Sequence, residues 1–289
     1  MFLLLAAVSA GVAVGGTTSD DVFGPYNYEW DGTSDLRKLA TEEGVDTVIL
    51  RDPSTYEEFG EGAVAFVIAP ERSLSEDTTD IVEFVDRGGT LIVAYRNDPS
   101  GDALLSDLGV GARPDGALLR DELNYYKSPR LPIATGIGDH ELVDGVSSVT
   151  LNHGTTVNPN GSTVLIESSP YSYLGMDASG ELNEEQVAPF PVATVEPVGD
   201  GQVVVVGDPS IFINVMQDQS GNKAFTRALI SGNDHVIVDA SGDSTIPLLV
   251  SIMLTVRENP LLQAAVGIGA LLAVGLLTNL TVRIWSQSG

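Results

Sequence analysis

The residues with the clearest chemical potential follow a run of valines near position 205. The segment VVVVGDPSIFIN (203–214) contains an apolar strand that ends at Gly207, and the polar residues Asp208, Ser210 and Asn214 come directly after it. In open α/β sheets, ligands bind outside the carboxyl ends of the strands. The segment therefore predicts a ligand-binding loop that carries these three side chains.

Two other roles for this loop stay open. Asp and Ser are common in turns and at helix N-caps, where their side-chain oxygens accept hydrogen bonds from backbone amides, so Asp208 and Ser210 can be explained without a ligand. A hydrolase that uses carboxylates or a metal ion near Asp208 is the catalytic alternative. Replacement of Asp208 by alanine would separate these roles.

No other group of residues specifies a reaction. The chain has no cysteine, which excludes thiolate nucleophiles, thiolate metal ligands and disulfides. The histidines His140, His153 and His235 lie in no recognisable triad, and neither a Gly-x-Ser-x-Gly elbow nor a phosphate-binding glycine loop occurs. Adjacent side chains in Asp139-His140-Glu141 point in different directions, which favours a helix cap by Asp139 over a metal site. We assign no catalytic residue, metal or cofactor.

The composition is strongly acidic. The 289 residues include 40 Asp and Glu against 14 Lys and Arg, for a formal charge of −26. Nucleic acid is excluded as a partner because phosphate binding requires clustered cations. A folded protein with 43% hydrophobic residues and a carboxylate-rich surface indicates a halophilic, archaeal source, since repulsion between carboxylates is screened within about 3 Å at 1 M salt.

The elements that must position the 203–214 loop alternate between helices and apolar strands. The patterns predict helices over 33–43, 75–87, 102–108 and 223–230, and strands over 45–50, 63–69, 90–95, 202–207 and, at an edge, 235–239. Apolar strands separated by helices indicate a mostly parallel sheet with helices on both faces. Residues 110–200 predict a β-rich insertion in a soluble α/β domain that extends over 17–245.

Both ends of the chain are apolar. Residues 260–282 carry no charge, and a helix over them would be roughly 35 Å long, enough to cross a bilayer core of about 30 Å. We expect a transmembrane helix there, bound to membrane lipid and preceded by an apolar juxtamembrane helix over 246–259. Residues 1–16 predict a signal or short membrane anchor, which would place the soluble domain outside the cytoplasm at the cell membrane.

Two surface features accompany these segments. Ala265, Gly269 and Ala273 recur every four residues, and such small residues permit close packing of membrane helices, which predicts a homodimer. Asn160-Gly161-Ser162 is a glycosylation sequon, so Asn160 is a candidate acceptor if its loop is extracytoplasmic.

The segments DRGGTLIVAY (86–95), GDPSIFIN (207–214) and GNKAFTRALI (221–230) resemble the membrane-anchored domain-of-unknown-function family 4350. The resemblance implies a fold similar to class I glutamine amidotransferases and to gliding-motility-type transport auxiliaries, that is, a flavodoxin-like sheet without the amidotransferase triad. Family members often carry an Asp-Glu pair after the final strand. This chain has Asp239 followed by Ala240 there, and Asp239 joins the candidate ligand-binding residues.

We therefore expect a membrane-anchored, non-catalytic α/β domain that binds or scaffolds. It would act as an accessory subunit of a membrane complex, either transport-like or at the cell surface, together with partner membrane proteins. The alternative is the carboxylate- or metal-dependent hydrolase with its site near Asp208.

Overall fold

The computed structural model describes residues 19–70, 74, 78–175 and 187–242 and, near the C-terminus, 251–252, 255–256, 259–265 and 268. The chain divides into two units, Ser19–Thr245 and the combination of Met1–Thr18 with Ile246–Gly289. The predicted signal or anchor over 1–16 lies outside the described residues.

The unit Ser19–Thr245 is a mixed α/β structure built around one large sheet. Its helices are α1 (Ser34–Glu42), α2 (Thr79–Asp86), α3 (Pro99–Asp107), α4 (Asn214–Gln217) and α5 (Ser220–Ile230), and short 3-10 helices cover Pro53–Glu58, Glu141–Val143 and Pro209–Phe212. The strands are β1 (Asp46–Leu50), β2 (Ala63–Ile68), β3 (Thr90–Ala94), β4 (Arg113–Asp121), β5 (Ile133–Ala134), β6 (Gly136–Ile137), β7 (Val149–Thr150), β8 (Thr155–Asn158), β9 (Thr163–Glu167), β10 (Ser172–Gly175), β11 (Pro191–Val198), β12 (Gly201–Val206) and β13 (His235–Asp239).

The main sheet contains eight strands in the order β1-β13-β2-β3-β12-β11-β9-β6. The first five of these strands are parallel, and β11, β9 and β6 continue the sheet by antiparallel pairing. The other strands between β3 and β11 form a three-stranded sheet, β10-β4-β8, and a two-stranded sheet, β5-β7. The insertion thus adds strands to the main sheet and also forms two small sheets of its own.

The core lies on both faces of the parallel strands. Along β12, Val203 and Val205 pack with one hydrophobic cluster while Val204 and Val206 pack with the other, because successive side chains of a strand point to opposite faces. Helices α1 and α5 cover one face, and α2 and α3 cover the other. Burial on both faces explains why these strands read as continuous apolar runs.

The strand order corrects the predicted fold class. If the parallel strands are numbered along the chain, their order across the sheet is 1-5-2-3-4, whereas the flavodoxin-like order is 2-1-3-4-5. The prediction that His235–Asp239 forms an edge strand is also wrong, because β13 pairs with β1 on one side and with β2 on the other. After β12, helix α5 crosses the face of the sheet that α1 also covers, opposite to α2 and α3. This crossing brings the chain back to β13 in the interior of the sheet.

The predicted transmembrane helix is a second correction to the fold class. No helix among the described residues is long and apolar enough to span a membrane. Within 260–282, residues 260–265 and 268 are described, and they are helical. Ala265 is exposed, and Gly269 and Ala273 lie outside the described residues, as does most of the predicted juxtamembrane helix over 246–259.

Candidate functional site

A cavity of about 270 Å³ opens at the carboxyl ends of β2, β3 and β12. We call it the switch-point cavity, and it is lined by Phe23, Ala69, Tyr95, Arg96, Asn97, Asp98, Asn152, His153, Asp208, Pro209 and Ser210. Strand β3 leads into α3 on one face of the sheet, whereas β12 leads towards α5 on the other. Adjacent strands whose connections leave on opposite faces create the crevice in which open α/β sheets bind ligands.

The tripeptide Asp-Pro-Ser begins a helix after each of β1, β3 and β12. The aspartates Asp52, Asp98 and Asp208 cap these helices, and Oδ1 of each accepts a hydrogen bond from the serine amide two residues later, at 3.1, 2.9 and 2.9 Å. Proline suits the first helical turn, where an amide hydrogen would have no partner. The capping role considered for Asp208 and Ser210 is therefore present in the structure.

Asp208 differs from an ordinary capping residue because it is 1% exposed and both of its oxygens are used. Its Oδ2 accepts a hydrogen bond from the backbone amide of Asn152 at 2.5 Å. Burial raises the pKa of Asp208 to about 7, and the hydrogen bonds from Asn152 and Ser210 and the charge of Arg96 oppose that rise. Near neutral pH the carboxyl group therefore exchanges between its charged and neutral forms.

The β-rich insertion contributes one wall of the cavity through residues 151–154. Thr155 N donates to Gly207 O at 2.9 Å, and Leu119 N donates to Gly154 O at 2.9 Å, so this loop is fixed against the end of β12. A Cβ at Gly154 would lie 2.9 Å from the Cβ of Asp208, which leaves space only for glycine. Asn152 and His153 are held beside Asp208 by these contacts.

Arg96 joins the loop after β3 to the insertion. Its Nη1 donates to His153 O at 3.0 Å, and within the described part of the chain its Nε and Nη2 have no hydrogen-bond partner. Asn97 is exposed beside it, and its side chain makes no hydrogen bond to a described residue. The cavity therefore presents a guanidinium and an amide that are available to a ligand.

The backbone around the cavity is strained. Among the described residues, four that are not glycine have positive φ, and three of them line the cavity: Phe23 at 64°, Ala69 at 51° and His153 at 59°. The left-handed region costs roughly 1–2 kcal/mol for such residues. Strain of this kind persists where the surrounding structure enforces it, and it clusters at functional sites.

Asn214 lies outside the cavity and connects two segments of the chain. Its Oδ1 accepts from Asp35 N at 2.9 Å, and its Nδ2 donates to Asn27 O at 3.1 Å and to Glu29 O at 2.5 Å. Asn214 and Asn27 are both buried. The position of Asn214 after Ser210 suggested a ligand, but its amide attaches the N-terminal segment to α4.

Asp239 ends β13, and β2 and β3 separate this strand from β12. Its Oδ2 accepts from the hydroxyl of Tyr56 at 2.8 Å, and its Oδ1 accepts from Ser241 N at 2.9 Å. Burial raises the pKa of Asp239 to about 6, against the lowering effect of these hydrogen bonds. The structure thus brings together Asp208 and Ser210, and it places Asn214 and Asp239 elsewhere.

Asn160 and His140, which were also named from the sequence, do not line the cavity. Asn160 is exposed in the turn between β8 and β9, and its Nδ2 donates to Gly111 O at 2.8 Å. His140, rather than Asp139, caps the short helix at Glu141, because its Nδ1 accepts from Leu142 N at 3.2 Å. The described residues contain no group of three or more His, Asp and Glu that could hold a metal ion.

Most of the residues that line the cavity were not identified from the sequence. The missed residues are Phe23, Ala69, Tyr95, Arg96, Asn97, Asp98, Asn152 and His153. One sequence signal could have found part of them, since Asp98-Pro99-Ser100 repeats the tripeptide at Asp208 after another apolar strand.

Comparisons with known proteins relate the chain to a family and to several solved structures. The sequence profile of the family described as Domain of unknown function (DUF4350) matches residues 25–230. No curated protein matches. The mmIFT52 N-terminal domain is similar, with a TM-score of 0.53 and 14% identity over 71% of this chain and 90% of that chain.

Two further structures have lower scores. Exo-beta-1,4-mannosidase Op5Man5 from Opitutaceae bacterium strain TAV5 has a TM-score of 0.38 and 16% identity over 72% of this chain and 32% of that chain. A cytoplasmic protein from Salmonella typhimurium LT2 has a TM-score of 0.40 and 13% identity over 70% of this chain and 87% of that chain. At these identities only the fold of the mmIFT52 domain is shown to be shared.

Proposed function

This chain belongs to the DUF4350 family, and from that premise we propose that it is a non-catalytic binding domain that holds a small molecule in the switch-point cavity. The main support for the proposal is that three strand ends, strained backbone and polar side chains without a partner among the described residues meet at one opening. Its volume of about 270 Å³ lies just below the usual range of ligand pockets, which is roughly 300–1,000 Å³. The ligand is therefore small.

The arrangement of the cavity argues against nucleophilic catalysis. A serine nucleophile needs a base within hydrogen-bond reach. The ring of His153 instead contacts the side chain of Asn152, with Nδ1 2.8 Å from Oδ1, and the backbone amide of Ser210 donates to Oδ1 of Asp208 as part of the capping turn. Both oxygens of Asp208 accept hydrogen bonds from backbone amides, so the carboxyl group holds the loop in place.

Nuclear magnetic resonance of the isotope-labelled full chain tests the proposal. A set of small fragments of mixed charge should shift the backbone amide signals of Asn97, His153 and Ser210. A larger cavity of about 540 Å³ at the opposite edge of the sheet, bordered by Gln202 and Asn233, is an internal control. If volume alone decided binding, the fragments would occupy that cavity instead.

A variant at the opening sharpens the test. Asn97→Trp should remove the shifts at His153 and Ser210, because the exposed Asn97 borders the opening and a larger side chain would fill it. Asn233→Trp, at the control cavity, should leave those shifts unchanged. Shifts confined to Gln202 and Asn233 in the wild-type protein would contradict the proposal. The sequence-based predictions about partner proteins and localisation are not needed for it.

A further inference from the structure

Among the described arginines, Arg96 is the one that lines the switch-point cavity, and its side chain is exposed there. Acids outnumber bases by 40 to 14, and the arginines Arg87, Arg113, Arg120 and Arg227 each have a carboxylate within 4 Å. Arg96 borders the cavity and has no such partner among the described residues. Its positive charge is therefore available to a ligand.

The carboxyl groups of the cavity do not oppose an anion as strongly as their number suggests. Asp98 and Asp208 are 4% and 1% exposed. Oδ1 of Asp98 accepts from Ser100 N at 2.9 Å, and both oxygens of Asp208 accept backbone amides. Burial favours the neutral form of Asp208. The exposed polar groups of the cavity include the guanidinium of Arg96 and the amide of Asn97, which both carry hydrogen-bond donors.

The orientation of Arg96 suits recognition of a planar anion. The bond from Nη1 to His153 O fixes one end of the guanidinium, and Nε and Nη2 remain along its other edge. That edge carries two parallel N–H groups, which match the two oxygens of a carboxylate. Because His153 itself is held by the fixed 151–154 loop, the guanidinium is positioned before a ligand arrives.

The rest of the cavity provides an apolar wall. Phe23, Ala69 and Tyr95 line it, and Tyr95 is held from behind by a hydrogen bond from its hydroxyl to Asp102 at 2.8 Å. The volume of about 270 Å³ has room for roughly nine groups the size of a water molecule. Phe23 is half-buried and offers its ring to an apolar body of that size, whereas Tyr95 is 1% exposed and packs with the hydrophobic cluster beneath α3.

We propose that the ligand of the switch-point cavity is a small organic acid whose carboxylate pairs with the Nε and Nη2 edge of Arg96 and whose apolar body contacts Phe23. This inference rests on the proposed function and adds the chemical class of the ligand. Arg96 is then the residue that selects for charge, and Asn97 is placed to donate to the same carboxylate.

Isothermal titration calorimetry with benzoate and benzamide tests the inference on the full chain. The two probes have nearly the same shape, but only benzoate carries a charge. Wild-type protein should bind benzoate at least about tenfold more tightly than benzamide, the usual scale for a charge-assisted pair. Arg96→Gln should weaken benzoate binding by about tenfold, and Arg96→Lys should recover only part of it because lysine lacks the second parallel donor.

Arg51 provides a matched control. It follows β1 at the same edge of the sheet and precedes the Asp52-Pro53-Ser54 turn, but it does not line the cavity. Arg51→Gln should change the affinity for benzoate less than about twofold, a surface-charge effect. Equal unfolding temperatures of the two glutamine variants would show that any loss of binding is local.

The outcomes separate the inference from the proposed function. Equal binding of benzamide and benzoate, unaffected by Arg96→Gln, would overturn the organic-acid inference while the cavity remained a binding site. Absence of benzoate binding while neutral fragments shift the amides of Asn97 and His153 would have the same meaning. If neither benzoate nor any fragment shifts those amides, both the inference and the proposed function fail.

Discussion

Asp208 follows β12 and Asp239 ends β13 at the same edge of the sheet and in a similar local turn, and of the two it is Asp208 that lines the switch-point cavity. In both, Oδ1 accepts a hydrogen bond at 2.9 Å from the amide of the residue two positions later. The partner of the second oxygen differs. Oδ2 of Asp239 accepts a hydrogen bond from the hydroxyl of Tyr56, whereas Oδ2 of Asp208 accepts one from the backbone amide of Asn152.

This difference explains where the cavity forms. Tyr56 is fully buried, and its ring fills the space beside Asp239 while it satisfies the carboxyl group. A backbone amide satisfies Asp208 equally well but brings no large side chain into the space between the strand ends. The capping turn is thus common to both sites, and the group that reaches the second oxygen decides whether the site is closed or open.

The largest expected effect is the pH dependence of stability. Burial raises the pKa of Asp208 from 3.8 to about 7 and that of Asp239 to about 6. The folded state therefore holds these protons more tightly than the unfolded state, so the free energy of unfolding falls as pH rises between about 4 and 7. For Asp208 the fall approaches roughly 4 kcal/mol, at about 1.4 kcal/mol for each pKa unit.

Urea unfolding of wild-type protein and Asp208→Asn across this pH range measures the effect. The amide of the variant does not titrate, so its free energy of unfolding should fall less steeply between about pH 4 and 7. The other carboxyl groups, including Asp239, are common to both proteins and cancel in the difference. Parallel curves would show that burial does not raise the pKa of Asp208 and would weaken the contrast with an ordinary cap.

The second prediction compares a buried cap with an exposed one. Asp208→Ala, measured near pH 5, should lower the free energy of unfolding by about 3 kcal/mol, because it removes a cap and leaves the amide of Asn152 without a partner. Asp52→Ala removes the same tripeptide cap at an exposed position and should cost about 0.5–1 kcal/mol. Similar losses in chemical denaturation would mean that the contact with Asn152 adds little.

The third prediction concerns the closed site. Tyr56→Phe should cost about 2 kcal/mol, since Oδ2 of Asp239 would lose its donor in a buried environment. Tyr95→Phe is the matched control, because its hydroxyl contacts Asp102, whose side chain is 54% exposed, and it should cost less than about 1 kcal/mol. Thermal unfolding would distinguish the variants, and a larger loss for Tyr95→Phe would reverse the assignment of closed and open sites.

The local elements could be predicted because their physical signals are local. The four valines of β12 (203–206) are buried on both faces of the sheet and therefore form an apolar run in the sequence. The helix and strand ranges around them follow from similarly short patterns. The position of β13 could not be predicted, because an apolar strand of five residues fits the centre of a sheet as well as its edge. A window of apolar residues over 260–282 likewise cannot show that a helix of sufficient length forms.

The candidate site was predictable only where it follows a strand directly. Asp208 and Ser210 have this signal, but Asn152 reaches Asp208 from 56 residues earlier in the chain, through an insertion without regular periodicity. Asn214 also follows the strand closely, but it is not part of the cavity. Its amide looked free beside a candidate loop, and the structure uses it to hold Asn27 and Glu29, contacts more than 180 residues apart in sequence.

The smallest expected effect tests whether strain is concentrated at the open site. Ala69 borders the cavity with φ at 51°, whereas Ala65 lies in the interior of β2 and is fully buried. Ala65→Gly should cost about 1–2 kcal/mol, from backbone entropy and the loss of a buried methyl group. Ala69→Gly should change the free energy of unfolding by less than about 0.5 kcal/mol, because relief of the left-handed conformation offsets the same entropy. Equal losses in urea unfolding would mean that the backbone at the opening stores no strain, and the cavity would then differ from the closed site only in the partner of its carboxyl group.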